Sequence, residues 1–212
     1  MKRILIIGAS GGIGAALSVA ADGEVIGLSR SADGLDVTDA VAVARVLGDV
    51  DGVFDRIIIA TGALGVPEKS MAAMDAIAMA DVFAVNAIGP AMVLREVPRL
   101  LAPMGRIAVL SARVGSIGDN RIGGWHSYRA SKAALNQIVR GAAIELARTN
   151  KGSICVALHP GTVATPFTEK YAGRHRTVSA HEAAANLWRV IEGLLPDQTG
   201  GFYDYAGEAI AW

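Results

Sequence analysis

Apolar positions along this chain gather into short runs, separated by longer stretches in which apolar and polar positions mix. The runs cover residues 3–7, 24–28, 55–60, 105–111, 153–159 and 201–205, with a further short strand expected around Leu35-Asp36-Val37. Most are continuous rather than alternating, which suits strands buried on both faces of a parallel sheet. Segments 38–48, 70–101, 126–149 and 179–194 have the composition and length of helices. Alternation of this kind predicts an α/β fold, a doubly wound and mostly parallel sheet with helices on both faces and right-handed crossovers. No repeat or low-complexity linker interrupts the pattern, so residues 1–212 are expected to form a single domain.

Composition narrows the reading. At 212 residues the chain suits one domain with a substantial core, and it is rich in alanine and glycine but poor in aromatics. Its formal charge is zero, so composition offers no case for nucleic acid or a membrane surface, and neither partner is expected. The one cysteine, Cys155, sits in an apolar run and reads as a small core residue. The N-terminus runs directly into a strand without a signal-peptide pattern, and no apolar run is expected to span a membrane. A cytoplasmic setting is the expectation. His175 and His181 show no ligand spacing with each other or with Cys155, so no metal site is expected.

The first strand leads straight into Gly8-Ala9-Ser10-Gly11-Gly12-Ile13-Gly14, and residues 15–20 then read as helix. Strand, glycine turn and helix form the setting that a dinucleotide fingerprint requires. Glycine lets the backbone approach a pyrophosphate, and the helix N-terminus offers N–H groups and partial positive charge. The spacing is Gly-x-x-x-Gly-x-Gly, and a turn that only packs strand on helix is the plainer alternative.

Tyr128 and Lys132 are four residues apart in a segment without proline or glycine, so they share one helix face. A phenol near an ammonium is an acid whose ionised form is stabilised, which suits proton transfer. Such pairs also occur on ordinary helix surfaces. Ligands of a doubly wound sheet bind at the carboxyl ends of its strands. Here those ends carry Gly8–Gly14, Ser29-Arg30, Asp36-Val37, Ala60-Thr61-Gly62, Ser111–Ser116 and Pro160–Thr165.

Together these residues resemble the short-chain dehydrogenase/reductase family over nearly the whole chain. Gly8, Gly12 and Gly14 match its glycine motif, Asn86 its central-helix asparagine, Tyr128 and Lys132 its Tyr-x-x-x-Lys, and residues 160–165 its Pro-Gly motif. The ending at residues 207–212 looks most like a compact bacterial subgroup related to C-factor signalling proteins. Two departures stand out. Ile59-Ala60-Thr61-Gly62 replaces the usual Asn-Asn-Ala-Gly, and Ala112 falls at the catalytic serine position with Ser111 just before it.

The resemblance implies strand order 3-2-1-4-5-6-7, a nicotinamide cofactor, and reduction of a small carbonyl compound or oxidation of an alcohol. Tyr128 would be the acid, and Lys132 would lower its pKa and hold the nicotinamide ribose. Asn86 would position a relay water, and Ser111 would donate to the substrate oxygen. Cofactor contacts would come from Gly8, Ser10, Gly12, Ile13, Gly14, Ser29, Arg30, Asp36, Val37, Ala60, Thr61, Gly62, Pro160, Gly161, Val163 and Thr165.

Ser29 stands where an NAD-selective site favours an acid, and the guanidinium of Arg30 suits a 2′-phosphate, so NADP is expected over NAD. A solvated arginine is the bland alternative. Asp36 would lie near adenine or cap the helix starting near Thr38. His159 reads as structural and His126 as a loop residue. Arg174, His175 and Arg176 fall in the family's substrate lid. Association into a homodimer or homotetramer through the helices at 70–101 and 126–149 is implied. A nucleotide-binding signalling or regulatory protein with little turnover is the competing reading.

Overall fold

The computed structural model describes residues 1–165 and 177–212. Six strands form one parallel sheet: β1 (Arg3–Ile7), β2 (Glu24–Leu28), β3 (Phe54–Ile59), β4 (Leu101–Leu110), β5 (Ile154–His159) and β8 (Phe202–Asp204). Their spatial order is β2-β1-β3-β4-β5-β8. Two-residue strands β6 (Val163–Ala164) and β7 (Val178–Ser179) pair separately. The principal helices are α1 (Gly12–Val19), α2 (Arg30–Asp33), α3 (Ala40–Gly48), α4 (Ala76–Phe83), α5 (Gly89–Glu96), α6 (His126–Thr149) and α7 (Ala180–Gly193). This is the expected doubly wound architecture and, without the strand at 35–37, the expected order.

The missing strand has a local cause. The N–H of Leu35 bonds back to Ser29 O, and Asp36 accepts from both N–H and hydroxyl of Thr38. Asp36 therefore closes a turn, a geometry short polar side chains favour. Leu35 and Val37 are buried, but as loop residues. Capping of α3 falls to Asp39, whose carboxylate accepts from Val41 N and Ala42 N, and not to Asp36.

Strand periodicity sorts the core into two layers. Leu5, Ile7, Ile57, Ile59, Ile107, Val109, Cys155 and Ala157 face α3, α5 and α6. Ile4, Ile6, Ile58, Ala108, Leu110, Val156 and Leu158 face α1 and α7. Side chains alternate across a strand, so continuous apolar runs fill both layers, each large aliphatic contributing about 1.5–3 kcal/mol on burial. Burial pushes the Cys155 thiol up to about 12, which leaves it a packing group.

The segment expected as one helix over 70–101 is broken. A π turn, Ala84–Ile88, joins α4 to α5, and a 3-10 turn, Val97–Leu100, follows. Contrary to the expectation from sequence, the helical run Ala76–Leu100 is long and apolar enough to cross a membrane by length and composition. It packs on α3 and α6, and an apolar core helix has the same composition. At the far edge, Tyr203 bridges Ala209 antiparallel and Trp212 stacks on Phe202, so the C-terminal segment covers β8.

An ion-pair cluster ties the sheet to α7. Arg56, almost buried in β3, forms a two-pronged pair with Glu192 at 2.8 and 2.7 Å, and Lys2 adds a contact at 3.0 Å. The hydrogen bond from Arg56 leads in holding the Glu192 carboxyl at about 2, against an ordinary 4.5. A depressed carboxylate stabilises above its ordinary pKa, and the benefit disappears as pH falls through the folded value. The melting-temperature advantage of wild type over Glu192→Gln is thus expected to be full at neutral pH and to shrink between pH 4.5 and 2. A gap unchanged across that window would show that Glu192 titrates elsewhere.

Candidate active site

The glycine turn is built by close approach. Gly8 has φ +90°, and a Cβ there would lie 3.0 Å from the Ala60 carbonyl carbon. A Cβ on Gly14 would sit 2.1 Å from Gly8 O, so that position admits nothing larger than glycine. α1 begins at Gly12 without a capping side chain or an acid in its own first turn. Ser10 is exposed beside it and Ile13 half-buried. From the far side, the Thr165 methyl would meet a Cβ on Gly12 at 2.7 Å, so the Pro160–Thr165 stretch folds against the turn. Within that stretch, Gly161 has φ +81° and Val163 is buried in β6.

Neighbouring strand ends continue the cleft. Ala60 N bonds Ile7 O at 2.8 Å, which aligns the residues after β3 with the glycine turn. Thr61 Oγ1 is buried and has no partner among the described residues, an orphan hydroxyl in the segment packed on Gly8, and Gly62 beside it is exposed. After β2, Ser29 caps α2 by accepting from Ala32 N, while Asp33 accepts from Ser29 N at 2.7 Å. Arg30 is exposed next to this cap, and its charge helps to hold the Asp36 carboxyl below its ordinary value, after the two Thr38 bonds. Val37 is buried against Gly89.

α6 brings the second set together. Its inner face buries Tyr128, Ser131, Lys132, Leu135, Asn136 and Val139. Lys132 Nζ donates to Leu110 O at 3.0 Å, at the carboxyl end of β4. Loss of hydration lowers its pKa to about 8. Asn86, completely buried in the π turn, donates to Ala63 O and Ser131 Oγ and accepts from Ala63 N. One amide thus joins the loop after β3, the central helix and α6, and π turns of this kind recur at functional sites. Burial pushes the Tyr128 phenol above its ordinary value. The expectation that Lys132 lowers it is therefore not met in this arrangement, where the ammonium is directed at Leu110 O.

Ser111 also departs from expectation. β4 ends at Leu110, and the Ser111 hydroxyl lies 2.6 Å from Asn136 Oδ1, buried beneath α6. A hydroxyl has one proton, and here Asn136 takes it. Asn136 was not singled out from sequence, although its i+4 spacing from Lys132 puts it on the same helix face. It also lines a hollow of about 500 Å³ with Arg140, Tyr203 and Trp212, away from the glycine turn. Ser116 accepts from Asp119 N within its own loop. His159 is lowered to about 4, by burial first and Arg113 second, and stays neutral near pH 7. His126 is the first residue of α6 rather than a loop residue. Arg174, His175 and Arg176 lie outside the described residues.

Comparison with known proteins identifies the family. The family described as enoyl-(acyl carrier protein) reductase (adh_short_C2) matches residues 16–193. The chain is 36% identical over 128 residues to 1-hydroxy-2-glutathionyl-2-methyl-3-butene dehydrogenase of Rhodococcus sp. (strain AD45), covering 60% of this chain and 56% of that protein. It is 38% identical over 136 residues to C-signal of Myxococcus xanthus, covering 63% of this chain and 78% of that protein. The chain thus spans little more than half the length of the first relative. Among solved structures, an NADPH-bound carbonyl reductase from chicken fatty liver superposes with a TM-score of 0.83 at 22% identity, covering 100% of this chain and 94% of that one. At that identity the likeness concerns the fold. The family match takes in most of the sheet and the helices bearing Asn86, Tyr128 and Lys132, and the chain belongs to the short-chain dehydrogenase/reductase family.

Proposed function

We propose that this protein is an NADP(H)-dependent oxidoreductase acting on a small carbonyl or alcohol substrate, with residues 1–212 working as one dinucleotide-binding unit. The observation that carries this reading is the buried union of Asn86, Ser131 and Lys132 against Ala63 and Leu110, which sets Tyr128's helix at the strand ends neighbouring the glycine turn. The close-packed Gly8–Gly14 turn, the uncapped α1 N-terminus and the orphan Thr61 hydroxyl all fit a dinucleotide.

Gly8, Ser10, Gly12, Ile13 and Gly14 would hold the pyrophosphate, Ser29 and Arg30 the 2′-phosphate, and Asp36 and Val37 the adenine side. Ala60, Thr61, Gly62, Pro160, Gly161, Val163 and Thr165 would bound the rest, with Tyr128 and Lys132 at the nicotinamide ribose. When bound, nicotinamide supplies or takes the hydride. Tyr128 gives its proton to the carbonyl oxygen as negative charge develops there, and works as base in reverse. The raised phenol pKa keeps that proton in place at neutral pH. Lys132, whose ammonium donates to Leu110 O, would hold the nicotinamide ribose, and Asn86 keeps α6 and the loop after β3 in register. Ser111 orients Asn136 and is not assigned to the substrate.

A dimer or tetramer would use the helices at 70–101 and 126–149, on which Ile77, Ile88 and Ile144 are exposed at 75, 53 and 44%. Cytoplasmic location and the absence of nucleic-acid and membrane partners belong to the same proposal. The second reading, a nucleotide-binding regulatory protein with little turnover, draws on Ala112 at the serine position and on the committed Ser111 hydroxyl.

Titration with NADPH and NADH, followed by cofactor fluorescence, is expected to favour NADPH by at least about tenfold, and Arg30→Ala to remove most of that preference. Equal affinity would overturn the role of Arg30. Tyr128→Phe is expected to reduce benzaldehyde turnover by at least about a hundredfold while NADPH binding stays within about twofold. Retained turnover would remove Tyr128 from the chemistry, and a wild type that binds NADPH without turnover would favour the regulatory reading. Ala112→Ser supplies the missing donor and is expected to raise kcat about tenfold. No gain would mean that the site does not present position 112 to the substrate.

A further inference from the structure

Tyr128 lies in the first turn of α6, and that turn is anchored from outside its own helix. Trp125, the residue before the helix, provides no side-chain cap. Its backbone is left-handed at φ 52°, after Gly123 and Gly124 at 68° and 64°. Residues other than glycine avoid that region, so a tryptophan held there needs fixed partners. Glu68 provides them from the loop after β3, 59 residues before Ser127 in sequence. Its carbonyl accepts from Trp125 N at 2.6 Å. Its carboxylate, only 7% exposed, accepts from Ser127 N at 3.2 Å and from the Ser127 hydroxyl. The negative group meets free N–H donors at the positive end of a 24-residue helix.

The next link reaches the phenol. The Trp125 ring meets the Tyr128 ring edge-on, with centroids 6.2 Å apart. The other end of the Glu68 loop is held at Ala63 by Asn86, which also donates to Ser131. Residues 63–68 therefore bridge two buried anchors, both on or beside the helix that carries Tyr128 and Lys132.

We propose that Glu68 is a positioning residue for Tyr128, acting as an N-terminal cap delivered from another loop that fixes the first turn of α6 for proton transfer. The proposal rests on Tyr128 being the acid, and small displacements of such a group cost rate steeply. An ordinary structural cap would lower stability and leave the turnover of the folded protein intact.

The test compares Glu68→Ala, Glu68→Gln and wild type by NADPH affinity, kcat and KM for benzaldehyde, and amide hydrogen exchange across residues 125–129. Glu68→Ala is expected to lower kcat about tenfold or more, with KM and NADPH affinity within about threefold and exchange accelerated over the first turn of α6. Glu68→Gln keeps an acceptor oxygen and is expected to restore kcat to within about threefold of wild type. Unchanged kcat in Glu68→Ala would overturn the proposal. So would failure of Glu68→Gln to restore it, or parallel loss of NADPH binding and kcat. If wild type binds NADPH without reducing benzaldehyde or any of a panel of other small aldehydes and ketones, the catalytic reading of Tyr128 fails. Exchange then decides the anchor separately: acceleration confined to residues 125–129 supports it, and unchanged exchange overturns it.

Discussion

A lysine ammonium taken out of water sets the terms for this site. Lys132 is 3% exposed, and its nearest compensation is one carbonyl at the end of β4. Burying a cation is costly unless fixed dipoles face it, so the strand end, the helix face and the loop between them must keep a constant separation. Gly115 makes that separation small, since a Cβ there would lie 2.8 Å from the Lys132 backbone. Asn86 and Ser131 hold the helix from one side, and Ser111 and Asn136 from the other. The ammonium is thereby held at a fixed place at the end of β4.

The parallel sheet makes this economical. Because side chains alternate, both apolar layers lie off the faces and the strand ends stay available for polar loops. The covering helices differ accordingly. α1 and α7 are joined by a bond from Trp188 to Leu17 O, with the N-terminus of α1 opening from the glycine turn, while α6 is both core element and carrier of the buried face with Tyr128, Ser131 and Lys132.

Much of this was legible because the relevant signals are local. The glycine turn follows directly on a strand, and Tyr128 and Lys132 are one helical turn apart, so neighbouring residues alone set the pair on one helix face. α6 falls at 126–149 as its composition implied. What escaped depends on tertiary detail. Leu35 and Val37 suit a buried loop as well as a strand, and only the turn between Asp36 and Thr38 distinguishes them. Either Asp36 or Asp39 had the chemistry of a helix cap, and chain direction chose the later one. Ser111 had the right hydroxyl, but its partner comes from α6 across the end of the sheet. Glu68 carried no motif at all, because its meaning lies in a contact spanning 59 residues.

The π turn at Ala84–Ile88 makes the length of the central helix part of the site. One extra residue is accommodated there, and each residue turns an α-helix by about 100°. A related chain shortened by a single residue within this stretch would regain regular α-helical bonding and keep its hydrophobicity. It would also swing α4 relative to α5 and carry Asn86 away from either Ala63 or Ser131. Sequence change is therefore tolerated very unevenly along this segment: volume-conserving apolar swaps keep its buried face, whereas a change in residue count does not keep Asn86 in place.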